Sequence, residues 1–118
     1  MSYDVYLVDK ETHQVLTLDY AHFMHGGTYI AEGTSDLWLN VTYNYSKIIR
    51  LTLDPAGLRV LDQMPASQTI PMLEEAIAQL ADDVDENYWK ATEGNVKRAL
   101  TYLKEMATLR PDGIWKVS

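Results

Sequence analysis

The stretch Leu37-Trp38-Leu39-Asn40-Val41-Thr42-Tyr43-Asn44-Tyr45 decides the fold. Leu37, Leu39, Val41, Tyr43 and Tyr45 alternate with Trp38, Asn40, Thr42 and Asn44. That is the period of a β-strand, with five apolar or aromatic side chains on one face. The opposite face, formed by Trp38, Asn40, Thr42 and Asn44, is polar and aromatic, able to hydrogen-bond and to stack. Two readings of it stand open: a packed network beneath helices, or the floor of a ligand or partner surface.

Upstream, Tyr3 to Val8 and Val15 to Leu18 are β-rich and separated by the polar run Asp9 to Gln14. The pattern predicts a hairpin with Val5 and Leu7 inward. From Asp19 to Asp36 the periodicity dissolves around Gly26, Gly27 and Gly33, which predicts a long loop with a brief strand at Thr28 to Ala31.

Downstream the period changes. Lys47 to Leu53 follows Ser46, a candidate cap, and fits either a short helix or an extended segment. Asp54 and Pro55 restart the chain into a helical turn through Leu58 to Leu61. A long helix is expected from Ser67 or Thr69, with Ile70, Leu73, Ile77 and Leu80 along one stripe and Pro71 in its opening turn. Asp82 to Trp89 reads as an acidic turn, with a short helix possible around Asn87 to Trp89. Thr92 or Asn95 then caps a second helix, whose inner face is Val96, Leu100, Leu103 and Ala107. Arg110 to Gly113 stops it, and Ile114 to Val117 returns as a strand. Strands first and helices later argue for an α+β fold, a small antiparallel sheet packed against two main C-terminal helices. With 118 residues, 47% of them hydrophobic, one globular domain spanning 1–118 is expected.

Composition narrows the function. The absence of cysteine removes disulfides, thiolate nucleophiles and thiolate metal sites together. No run approaches the ~18 apolar residues of a membrane span, so the expectation is a cytoplasmic protein without membrane contact. A net charge of -7 repels nucleic-acid phosphate, and Lys97-Arg98 is the only adjacent basic pair. Asp82, Asp83, Asp85 and Glu86 instead form an acidic cluster suited to solvated helix ends.

Chemical motifs are sparse. His22 and His25 share a spacing of three and form the best metal candidate, with Asp19 or His13 as a further ligand, but no second motif completes the set. Asp83, Asp85 and Asn87 mimic the opening of a calcium loop. The match then fails at Tyr88, where Gly is required, and at Gly94, where Glu is required. Gly26-Gly27 lacks the rest of any phosphate-binding pattern, and no motif calls for a cofactor. Tyr88, Trp89 and Trp115 are either core filler or partner anchors.

These segments carry a resemblance. Asn40 to Ser46, Ile70-Pro71 with Ala76, Ile77 and Leu80, Tyr88-Trp89 with Ala91-Thr92 and Gly94-Asn95 followed by Ala99-Leu100, and Arg110-Pro111-Asp112-Gly113 with Trp115 look like a family of small uncharacterised proteins of bacteria and their phages or prophages. The match runs from Asn40 onward, about two-thirds of the chain, and Gly26-Gly27-Thr28 is similar too. The resemblance implies no established activity, cofactor or catalytic residue. It implies a mobile-element accessory protein, for which binding and inhibiting a host or defence protein is a common role. The expectation is therefore a noncatalytic protein that binds a host protein. The alternative is a small-molecule or metal-dependent enzyme using the Gly-rich loop around His22 and His25.

Overall fold

A computed structural model describes residues 1–24 and 33–118. The described chain runs β1 (Ser2–Val8), β2 (Thr17–His22), β3 (Thr34–Asp36), β4 (Trp38–Thr42), α1 (Ser46–Thr52), α2 (Ala66–Ala78), α3 (Glu93–Leu109) and β5 (Ile114–Val117). β1 is central in an antiparallel sheet of order β4-β1-β5, and β2 with β3 forms a separate two-stranded sheet. The fold is α+β, with α2 and α3 packed together over one face of the larger sheet.

Alternation sorts the two faces. Val5 and Leu7 of β1, Leu39 and Val41 of β4, and Trp115 and Val117 of β5 turn inward and are buried. They meet Leu73 and Ala76 of α2 and Val96, Leu100, Leu103, Met106 and Ala107 of α3 in one cluster. The inner face expected of the last helix is fully buried at all four positions.

The strand expected to continue to Tyr45 stops at Thr42. Thr42 Oγ1 accepts from the Asn44 N–H at 3.3 Å and starts a 3-10 turn over Tyr43–Tyr45. The turn still delivers Tyr45 to the core, but Tyr43 is turned outward and its ring lies against Tyr3. Lys47 to Thr52 resolves as helix, within α1, with Leu53 as its C-cap, and Ser46 is its first residue, not a side-chain cap.

The expected hairpin is also revised. β1 takes β4 and β5 as neighbours and shares only a bridge, Val8 with Val15, with the segment that follows it. Leu16 inserts where β1 and the β3–β4 segment separate. Its N–H donates to Leu7 O, and its carbonyl accepts from the Leu37 N–H. β2 and β3 therefore occupy parts of the expected loop, while the strand expected at Thr28 to Ala31 falls outside the described residues.

α2 begins at Ala66, and its buried row is Ala66, Thr69, Leu73 and Ala76. Of the expected stripe, Leu73 and Leu80 are buried, and Ile70 and Ile77 only partly so. Trp115 explains the rotation. Its indole N–H donates to Thr69 Oγ1 at 2.8 Å inside the core, so Thr69 must face the sheet.

The 62–66 segment seals the outer edge of β5. Gln63, in a left-handed conformation at φ 72, donates its N–H to Trp115 O. The Trp115 N–H donates to Met64 O, and Asp62 Oδ1 accepts from the Val117 N–H. The turn into β5 is held by a two-bond fork from Arg110 to the Asp112 carboxylate, which holds that carboxyl below its ordinary range. No described helix is long and apolar enough to cross a membrane.

Candidate functional site

The residues that alternate with the core set form the outer face of the sheet. Register places Ser2 opposite Thr42, Asp4 opposite Asn40, and Tyr6 opposite Trp38 and Lys116. No described helix covers this face, so Trp38 and Asn40 are half-buried, and the face stands between the two readings open from sequence.

Asp4 organises the centre. One of its carboxylate oxygens accepts from Trp38 Nε1 at 2.9 Å and from Asn40 Nδ2 at 2.9 Å, and the same Nδ2 donates to Ser2 Oγ at 2.8 Å. Asn40 Oδ1 is buried with no donor among the described residues. Flipping the amide would set that oxygen against the carboxylate, so the observed orientation is enforced. Tyr6 stacks on Trp38 at 6.4 Å between ring centroids. Burial, followed by the negative charges of Asp4 and Asp36, pushes the Tyr6 hydroxyl above its usual pKa.

The second candidate pair joins this face at the Thr42 end. Asn44 Nδ2 donates to Trp89 O at 2.9 Å, and the Tyr45 hydroxyl donates to Tyr88 O. Met1, Ser2, Thr42, Asn44 and Trp89 line a shallow cleft of about 150 Å³. The six positions singled out from sequence, Trp38, Asn40, Thr42, Asn44, Tyr88 and Trp89, thus form one continuous region. Thr42 is buried within it, Tyr88 is half-buried, and Trp89 is 56% exposed.

The loop carrying Tyr88 and Trp89 owes its shape to residues around the start of α3. Thr92 caps the helix by accepting from the Asn95 N–H at 3.1 Å, and Asp83 Oδ1 accepts from the Gly94 N–H at 3.0 Å. Asn95, almost wholly buried, donates to Asn87 O and Lys90 O and accepts from the Asp85 N–H. A Cβ on Gly94 would stand 2.4 Å from Val84 N, so only glycine admits the acidic strap there. The acidic turn expected at Asp82 to Trp89 contains no helix around Asn87 to Trp89, and its carboxylates act mainly as caps and turn acceptors.

His22 is placed differently from a metal ligand. It is buried, its Nδ1 accepts from the Met24 N–H at 3.3 Å, and its Nε2 lies 2.6 Å from Asp36 O. Because the Met24 amide can only donate, Nε2 carries the proton and both ring nitrogens are engaged. His25 and the Gly26-Gly27 pair lie outside the described residues. Among the described residues no group of three or more His, Asp or Glu is arranged to hold a metal.

A larger groove of about 420 Å³ runs between Tyr20 of β2 and Thr101, Lys104, Glu105, Thr108 and Leu109 of α3. Its polar groups come from an exposed helix flank and Lys104 is paired with Glu74, so volume and convergent chemistry fall in different places. The outer sheet face carries the denser network. Asp4 and Tyr6 belong to that face although the strand they alternate in gave only Val5 and Leu7 for attention. The signal was the same alternation read across β1, but its meaning needs the β1–β4 register.

Comparison with family models, with curated proteins and with solved structures gives no match to this chain.

Proposed function

We propose that this chain is a noncatalytic binding protein whose contact surface is the outer face of the β4-β1-β5 sheet together with Trp89. The observation that carries the reading is that this sheet face carries the stacked Tyr6 and Trp38 and, at its Thr42 end, the exposed Trp89, with the Trp38 indole and the Trp89 backbone each held by a directed hydrogen bond. Rigid aromatic groups supply large contact area at little entropic cost, which suits a protein partner. The polar groups beneath them are committed to structural bonds, as Asp4 is to Trp38 and Asn40, which suits holding a shape better than turning over a substrate. The resemblance to phage and prophage proteins favours a host or defence protein of a bacterial cytoplasm as the partner.

A photo-crosslinking residue at position 89, compared with one at Glu75 on the far side of the molecule, tests this in host lysate. A discrete protein crosslinked from 89 and not from 75 is the expected result. Equal labelling from both positions, or none from either, overturns the reading.

A further inference from the structure

The sheet has two edges, and they differ. Leu7 N–H donates to Leu37 O at 3.0 Å and Tyr43 N–H donates to Met1 O at 3.1 Å, which fixes the odd-numbered residues as those bonded to β1. The N–H and C=O groups of Trp38 and Asn40 therefore point away from β1, toward an edge that no described strand pairs. Thr42 continues that edge but is buried beside the Trp89 loop, which closes its far end. The β5 edge, by contrast, is bonded to the 62–66 segment.

We infer that the edge of β4 left unpaired among the described residues accepts an extended, arginine-bearing segment of a partner protein by strand addition, its basic side chains lying over Trp38 and Tyr6. The inference rests on the binding function proposed above and names the partner's chemistry. Main-chain bonds to Trp38 and Asn40 would supply affinity, and alternate side chains of the added strand would project onto the outer face. There the Trp38 ring offers a guanidinium its π-surface, and Asp4 and Asp36 supply negative charge around Tyr6. Lys116 shares the face but stands across β1, on the side away from the edge. A second copy of the chain is disfavoured as the occupant because each carries a net charge of -7.

The probe is a nine-residue peptide alternating Arg and Thr, with two relatives: one alternating Glu and Thr, and one Arg/Thr peptide N-methylated at every internal amide. Binding is followed by calorimetry, and protection of the Trp38 and Asn40 amides by hydrogen exchange on the full chain. The Arg/Thr peptide is expected to bind and to slow exchange at both amides by about tenfold. N-methylation, which keeps the charges but removes the donors, should weaken binding by about tenfold, and Asp36→Asn by about threefold.

Equal binding of the methylated and unmethylated peptides, equal binding of the Glu/Thr peptide, or concentration-dependent protection without peptide would each overturn the inference, the last in favour of self-association. No peptide binding alongside a specific crosslink from position 89 overturns strand addition and leaves the binding function standing. Peptide binding without any crosslink supports the edge chemistry and overturns the host-partner reading.

Discussion

The two faces of β4 belong to one five-residue strand and are ordered by different physics. Leu39 and Val41 are fully buried against α3 and its neighbours, held by area removed from water and by close packing. Trp38 and Asn40, half-covered, are held by bonds of fixed direction to Asp4. A packed face tolerates little loss of volume, whereas a bonded face keeps its arrangement while remaining open to something else. The contrast separates what maintains the fold from what is left available for contact.

The largest expected effect lies on the packed side. Leu100→Ala should cost about 2–5 kcal/mol in chemical denaturation, whereas Asn40→Ala, which removes bonds from a half-covered amide, should cost about 1 kcal/mol. Equal losses would erase the distinction between the faces. Next comes Gly94→Ala, expected to cost about 1–3 kcal/mol, because the new methyl meets the Asp83–Val84 backbone. Its crosslink yield from position 89 should fall further than that of Leu100→Ala measured at matched folded fraction.

A smaller effect sharpens the outer face alone. With its pKa raised first by burial and then by Asp4 and Asp36, Tyr6 stabilises the folded state below pH 10 and loses that contribution as pH rises through its folded pKa. In an ultraviolet titration Asp36→Asn should bring the Tyr6 transition down toward 10.0, the ordinary value, and an unmoved transition would show that Asp36 does not act on this face. Lys97→Ala should change stability least, by about 1 kcal/mol or less, since its pair with Asp82 is solvent-exposed at the acid.

Much of the packed side was legible in the sequence. Val96, Leu100, Leu103 and Ala107 announce their face because a helix repeats locally, and Ile114 to Val117 follows a stop signal that is local too. The end of β4 was not legible, since Tyr43 and Tyr45 prolong the alternation while the Thr42 hydroxyl, accepting from the Asn44 N–H, turns the chain into a 3-10 turn. The partners of β1 were hidden for a related reason: adjacency in a sheet is a long-range property, and nearness in sequence favoured a hairpin that survives only at Val8 and Val15. Ile70 and Ile77 looked like the inner stripe of α2 on hydrophobicity, yet a hydroxyl, Thr69, faces the core because the indole of Trp115 requires an acceptor there. At the candidate site β4 itself was readable, whereas Asp4 and Tyr6 needed the register. Gly94 and Asn95 needed the loop they anchor.

The left-handed Gln63 and the segment it introduces have a bearing on stoichiometry. A sheet open at both edges can be extended indefinitely, copy upon copy, into a fibre. With the β5 side occupied by its own chain, two molecules joining through β4 would exhaust their edges on contact and stop at a pair. The same closure would limit each molecule to a single added strand at this sheet, so a complex formed by strand addition there would saturate at one to one.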